Sequence, residues 1–391
     1  MPEGFLISTA EAAVKKPGRK DIAIIYSTVC AVASGVFTTN LVKAAPVLLD
    51  IERIKGGKGR AIVANSGNAN ACTGMRGLKD AVKMSLAASI ELDCPETEVF
   101  IASTGVIGTP LPIDRMFSKI IEAARTMGNS TLLDAARAIM TTDSFPKIAS
   151  AQINISGKAV TIAAIAKGAG MICPNMATML CFVLTDASIT KDALDEALIS
   201  ANDYSFNRIT VDGDMSTNDT VIVLANGLAG NAPIRSGNRN SGIVFRKALA
   251  EVLMRLAEMI VKDGEGASKA MKVLVKGAKS EHDASILARA IASSLLVKTA
   301  VYGCDANWGR VIAAAGHAGV DFDPNTVDIF FGSAMVVKNG LTTNNDAEAA
   351  LQLKADTVVI TVNFKMGRAS AQVLSCDLTE EYIKINAEYR T

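Results

Sequence analysis

Two hydrophobic periods alternate along this chain, and a fold must satisfy both. In Thr357–Phe364 the residues Val358, Ile360, Val362 and Phe364 recur every second position, the mark of a strand with one buried face. In Val244–Ile260 the residues Phe245, Leu249, Val252, Leu256, Met259 and Ile260 recur at three- and four-residue spacing and form one helical stripe. Strand-like runs also occur at Asp21–Thr28, Arg60–Asn65, Glu98–Ser103, Ala159–Ile165, Met179–Thr185 and Thr220–Ala225, and helical stripes at Leu78–Ile90, Ile113–Arg125, Lys191–Ser200 and Ser285–Leu296. A one-faced strand and a one-striped helix each need a partner layer, so their interleaving implies an α/β (α+β) protein with helices covering sheets. At 391 residues the chain exceeds one small core, and two or three units are expected. The Gly/Asn/Ser-rich stretch Asn226–Gly242 reads either as a connection between lobes or as a surface loop.

Charge and composition narrow the function. Lys and Arg number 40 against 39 Asp and Glu, so nothing in the balance attracts a polyanion, and nucleic acid is not an expected partner. No apolar run reaches the ~18–20 residues that a membrane helix needs, and the first residues lack the charged head and apolar core of a signal peptide. The expected location is the cytoplasm, with no membrane partner. The seven cysteines are scattered and never spaced as CxxC, which points to neither a disulfide framework nor a zinc cage. His282 and His317, the two histidines, stand beside no hydroxyl or thiol motif, so acyl chemistry here needs another base. No metal or redox cofactor is expected.

Lys167–Leu180, reading KGAGMICPNMATML, is the most unusual segment; it follows one strand pattern and precedes another. Its Gly168-x-Gly170 start lacks the third glycine and the following helix of a dinucleotide site. Gly56-Gly57-Lys58-Gly59 lacks the Ser or Thr of a phosphate-binding loop. Asp212-x-Asp214-x-Ser216 has Thr217 where a calcium loop needs glycine.

Within KGAGMICPNMATML, Met176-Ala177-Thr178-Met179-Leu180 resembles the self-cleavage motif of the ornithine acetyltransferase (glutamate N-acetyltransferase) family. The resemblance runs through Val36–Asn40, Asn65–Gly74, Ala102–Gly108, Ser205–Asp214, Asp263–Gly266, Asn307–Arg310 and Ile385–Thr391, nearly the whole chain. It implies a four-layer α/β/β/α fold in two lobes, and a chain cut between Ala177 and Thr178 into an α chain, 1–177, and a β chain, 178–391. Alone, an Ala-Thr pair would read as ordinary strand sequence.

The implied chemistry is physically coherent. A threonine hydroxyl is a weak nucleophile that needs an adjacent base, and the cut frees the Thr178 α-amine, whose reference pKa of about 8 leaves a useful neutral fraction at pH 7. Developing negative charge on the attacked carbonyl needs donors, and the family places its oxyanion hole at the pair matching Thr104 and Gly105. Substrate contacts implied by the resemblance are Thr141, with Thr142 as rival, Lys167 for an α-carboxylate, Glu265 for an ammonium group, and Asn386 and Thr391 at the chain's end. The implied reaction moves acetyl from N2-acetyl-L-ornithine to glutamate, releasing ornithine, by a ping-pong route; some family members also take acetyl from acetyl-CoA. The α and β chains are expected to stay associated and to pair into a heterotetramer. Two other readings stay open: a self-cleaving aminopeptidase or amidase of related fold, and a non-catalytic amino-acid-binding protein.

Overall fold

The computed structural model describes residues 1–173, 179–237 and 240–388. They form two compact units, the first drawn from 1–171, 175–207 and 214–260, the second from 172–174, 208–213 and 261–391. The units therefore divide elsewhere than at the expected cut between 177 and 178. Asn226–Gly242 falls inside the first unit, so its reading as a connection between lobes does not hold.

In chain order the first unit contains β1 (Phe5–Ala10), β2 (Ile22–Phe37), α1 (Ala45–Arg53), β3 (Lys58–Asn68), α2 (Gly74–Leu92), β4 (Val99–Val106), α3 (Ile113–Arg125) and α4 (Leu132–Ala138). It continues with β5 (Lys147–Ile155), β6 (Lys158–Lys167), β7 (Leu180–Thr185), α5 (Lys191–Asp203), β8 (Thr220–Ala225) and α6 (Ser241–Lys262). One sheet runs β4-β3-β2-β8-β7-β6-β5, with β1 also paired to β2. The pairs β3/β4 and β7/β8 are parallel.

Period-2 patterning decides which helix lies on which face. Ile22, Ile24, Ala61, Val63, Val99 and Ile101 cluster with Ala81, Met84 and Ala88 of α2 and with Met116 and Ile120 of α3. Their neighbours Ala23, Ile25, Ile62, Ala64, Phe100 and Ala102 cluster with Ala135, Ala136 and Ile139 in and after α4. Helix α4 begins where its sequence dictates: Thr131 and Asp134 exchange side-chain and backbone hydrogen bonds in a capping box. Strand β2 outruns the expected Asp21–Thr28 because a register shift between Tyr26 and Ala31 carries it from β3 onto β8.

The second unit contains β9 (Ala270–Ala278), α7 (Glu281–Ser293), α8 (Leu295–Tyr302), α9 (Trp308–Gly316), β10 (Asp328–Phe331), β11 (Ala334–Lys338), β12 (Leu341–Thr342), α10 (Asp346–Gln352), β13 (Thr357–Asn363), β14 (Ala369–Cys376) and α11 (Glu380–Ala387). Its sheet runs β12-β11-β10-β13-β9-β14. Val358, Ile360, Val362 and Phe364 are buried as their alternation requires, against Leu287 and Ile291 of α7 and Val311 of α9. The single helix expected over Ser285–Leu296 is broken, because Ser294 is extended and its hydroxyl caps α8 through the Val297 N–H. Among the described residues no single helix is long and apolar enough to cross a membrane. The expected mixed α/β class, two sheets with helices on them, is the one observed.

Candidate active site

Thr104 and Gly105, expected to end a strand, lie near the end of β4 and pair with Ser66 and Gly67 of β3 just where the register shifts at Gly67 and Asn68. Gly105 has φ of +134°, and a Cβ there would lie 2.3 Å from the Gly67 carbonyl carbon and 2.5 Å from the Asn68 nitrogen. Only glycine fits this close backbone crossing. Thr104 is buried, and its neighbour Ser103 donates a 2.6 Å hydrogen bond to Asn65 Oδ1.

Ahead of β5, the side chain of Asp143 is a buried anchor. One carboxylate oxygen accepts the Thr141 N–H at 2.9 Å; the other accepts the Gly168 N–H and Lys147 Nζ, both at 2.7 Å. The Lys147 and Asp143 side chains are fully inaccessible to solvent. Burial works to raise the Asp143 carboxyl, but the ammonium groups of Lys167 and Lys147 and the donated hydrogen bonds outweigh it, holding its pKa below the ordinary value. Asp143 thereby fixes the backbone of one candidate substrate contact, Thr141, and of the residue after another, Lys167. Thr142, the rival, is half-buried. Lys167 itself is only 4% exposed and pairs with Leu180 as β6 runs antiparallel to β7.

Ala177 and Thr178 lie outside the described residues, as does Thr391. The first described residue after Thr178 is Met179, held on both sides. Its N–H donates to Asp219 Oδ1 at 3.0 Å, and its carbonyl accepts the Thr220 N–H at 3.0 Å. Burial pushes the Asp219 carboxyl well above the usual carboxylate range, against the Met179 N–H and the Lys167 ammonium, which favour the charged form. Next to it, Asn218 donates from Nδ2 to the carbonyls of Ser103, at 2.8 Å, and Ala69, at 2.6 Å. In the first unit, then, the ends of β4 and β6 and the starts of β7 and β8 are joined by side-chain to backbone hydrogen bonds and strand pairing.

In the second unit Glu265 is buried and accepts a 2.9 Å hydrogen bond from Asn386 Nδ2 on α11. Two expected substrate contacts 121 residues apart are thus neighbours. Gly266 makes this approach feasible, since a Cβ at its φ of +66° would lie 2.4 Å from the Tyr382 nitrogen. Thr379 caps α11 through the Glu381 N–H and donates from Oγ1 to the Gly266 carbonyl at 2.6 Å.

Asp143, Lys147, Asn218 and Asp219 were not among the expected site residues. Their signal is faint: an Asp and a Lys four apart in Asp143–Lys147, and a run of small polar residues, Ser216–Asp219, just ahead of an apolar strand. Among the described residues no three His, Cys, Asp or Glu side chains gather where they could hold a metal ion. A cavity of about 250 Å³ lined by residues including Ile189, Glu196, Arg235 and Arg246 contains none of the residues above.

Comparison with known proteins shows the family of the chain. The model of the ArgJ family matches residues 6–391. An arginine biosynthesis bifunctional protein ArgJ from Geobacter sulfurreducens is 51% identical over 100% of this chain and 99% of its own length. The protein of that name from Symbiobacterium thermophilum is 52% identical over 100% of this chain and 98% of its own. The crystal structure of arginine biosynthesis bifunctional protein argJ from Bacillus halodurans, 44% identical, superposes with a TM-score of 0.51 over 53% of this chain and 97% of that one. With a family match spanning nearly every residue and relatives identical at half of all positions, this chain belongs to the ArgJ family.

Proposed function

We propose that this ArgJ-family acyltransferase of arginine biosynthesis cuts itself before Thr178 and uses that residue to carry acetyl from N2-acetyl-L-ornithine to glutamate. The Thr178 hydroxyl attacks the acetyl carbonyl, the Thr178 α-amine takes the hydroxyl proton, and that proton passes to the departing ornithine amine. The acetyl group then rests on Thr178 as an ester until glutamate's amine attacks it and the hydroxyl is restored. N–H and O–H donors at Thr104 and Gly105 meet the oxyanion in both steps. Lys167 receives a substrate carboxylate, with Thr141 beside it, and Glu265, with Asn386 and Thr391, receives the ammonium end.

One observation carries this reading: the strands flanking residue 178 pair with each other at Lys167 and Leu180, while Asn218 and Asp219 tie Ser103 and Met179 to one short segment. That brings the segments holding the candidate nucleophile, oxyanion donors and carboxylate partner together inside one unit. The word bifunctional in the names of the relatives supports a second activity, with acetyl-CoA as acetyl donor to glutamate. A cytoplasmic location and a heterotetramer of α and β chains complete the proposal.

The test is denaturing electrophoresis with N-terminal sequencing, followed by acetyl transfer assays. Wild type should yield a fragment beginning Thr-Met-Leu-Cys, and Thr178→Ala should stay whole and inactive. An intact, fully active wild-type chain would refute the reading. Acetate released from N-acetylornithine at the same rate without glutamate would identify a hydrolase instead.

A further inference from the structure

Asn218 and Asp219 are adjacent residues whose side chains reach to opposite partners. Asn218 Nδ2 holds the carbonyl of Ser103, which precedes Thr104 and Gly105, and also that of Ala69. Asp219 Oδ1 holds the amide of Met179, the residue after Thr178. The segment carrying them is itself clamped. Ser216 Oγ accepts the Asn218 N–H at 3.0 Å, Thr217 Oγ1 donates to Asn218 Oδ1 at 2.6 Å, Thr38 Oγ1 donates to the Ser216 carbonyl at 2.8 Å, and the Asp219 carbonyl accepts the Thr38 N–H at 3.0 Å. Every polar atom of the Asn218 side chain is thus engaged, whereas Asp219 Oδ2 is buried without a hydrogen-bond partner among the described residues.

A fully buried carboxyl, with the Met179 amide on one oxygen and the Thr38 and Ser216 hydroxyls beside it, is costly for stability alone, because an isosteric apolar group would fill the space at less expense. We propose that Asn218 and Asp219 are positioning residues for the chemistry of Thr178, one peptide bond between them setting the spacing of nucleophile and oxyanion donors. Asn218 acts through the backbone of Thr104 and Gly105, and Asp219 through the backbone of Met179. The environment that favours a neutral Asp219 carboxyl fits this role, since a neutral group can hold an amide without bringing a charge beside the reacting carbonyl. The inference rests on the Thr178 reading and adds to it the groups that hold the reacting parts in register.

The test uses the full-length chain and follows both self-cleavage and acetyl transfer in Asp219→Ala, Asp219→Asn and Asn218→Ala, with Asp50→Ala as control. Asp50 is likewise fully buried and accepts the Ile101 N–H with both oxygens, so its loss reports the effect of emptying a buried carboxyl site alone. Asp219→Ala and Asn218→Ala should each slow cleavage and lower kcat by about tenfold or more, with KM for N-acetylornithine changed by less than about twofold, as expected for misplaced reacting groups. Asp219→Asn, which keeps a neutral acceptor for Met179, should recover most of both rates. Asp50→Ala should lower the thermal midpoint yet still give two fragments. If Asp219→Ala cuts and turns over like wild type, or Asp219→Asn is as impaired as Asp219→Ala, this inference is overturned alone. An uncut, active wild type would overturn the Thr178 reading and this inference together.

Discussion

Removing the Asp143 carboxylate should expose how much stability is concentrated in one buried anchor. Asp143→Ala takes the 2.7 Å carboxylate away from a Lys147 ammonium inaccessible to solvent, and strips the acceptor from the Thr141 and Gly168 amides. Breaking one side of a buried ion pair costs about 3–5 kcal/mol. Each orphaned amide adds a penalty of about 1–3 kcal/mol if it stays dry. The expected loss is therefore at least about 3 kcal/mol, a factor of more than about 100 in the folding equilibrium. Replacing the lysine as well, in Asp143→Ala with Lys147→Met, removes the buried ammonium that the carboxylate balanced, so the double variant should be more stable than Asp143→Ala alone. Urea unfolding at pH 7 in the Thr178→Ala background, where one covalent chain unfolds, measures all four corners of this cycle. Strictly additive losses, or an Asp143→Ala penalty under about 1 kcal/mol, would refute the picture of a buried pair organising Thr141 and Gly168.

Three further outcomes follow from the same geometry. Gly105→Ala must push a methyl group into the Gly67 backbone; it should lower kcat by about 100-fold or more, the scale of a lost oxyanion donor, and wild-type kinetics from a folded Gly105→Ala chain would contradict the proposed role. Asp143 has a folded pKa below its unfolded value of about 3.9, so its contribution is fully present above that value and fades as pH falls through the folded pKa; unfolding measured across this acid range should show a loss that the Asp143→Asn chain lacks. Glu265→Gln removes a buried carboxylate that Asn386 orients, and should raise KM for N-acetylornithine by about 10–100-fold, the value of a hydrogen bond to a charged group; an unchanged KM in steady-state assays would remove Glu265 from the ammonium site.

What could be read from the sequence divides along physical lines. Period-2 and helical spacing identified strands such as β13 and helices such as α3, because burial of one face is a local property of the chain. Those patterns did not reveal where β2 ends, since its second half is defined by pairing with β8, nearly two hundred residues away, across a bulge. Nor could periodicity foresee the break at Ser294, where one hydroxyl starts a new helix in the middle of an apolar stripe. The candidate site shows the same division. Lys167 and Glu265 stand in recognisable motifs, and the structure finds both buried. Asp143, Asn218 and Asp219 act on backbone groups of distant segments, and a carboxylate that accepts a remote N–H leaves no trace in local spacing.

The antiparallel ladder from Lys167–Leu180 to Ile162–Thr185 would give the proposed self-cleavage a lasting consequence. A nick in the connection would leave every rung of that ladder intact, with β7 still flanked by β6 from one fragment and β8 from its own. Folding and cutting would then be ordered in time: an unbroken precursor would assemble as a unimolecular event, whereas a denatured, cut protein would have to bring two separate polypeptides back into one sheet. Its recovery would depend on concentration, so a cut would turn a self-sufficient folder into a complex that remembers its covalent past.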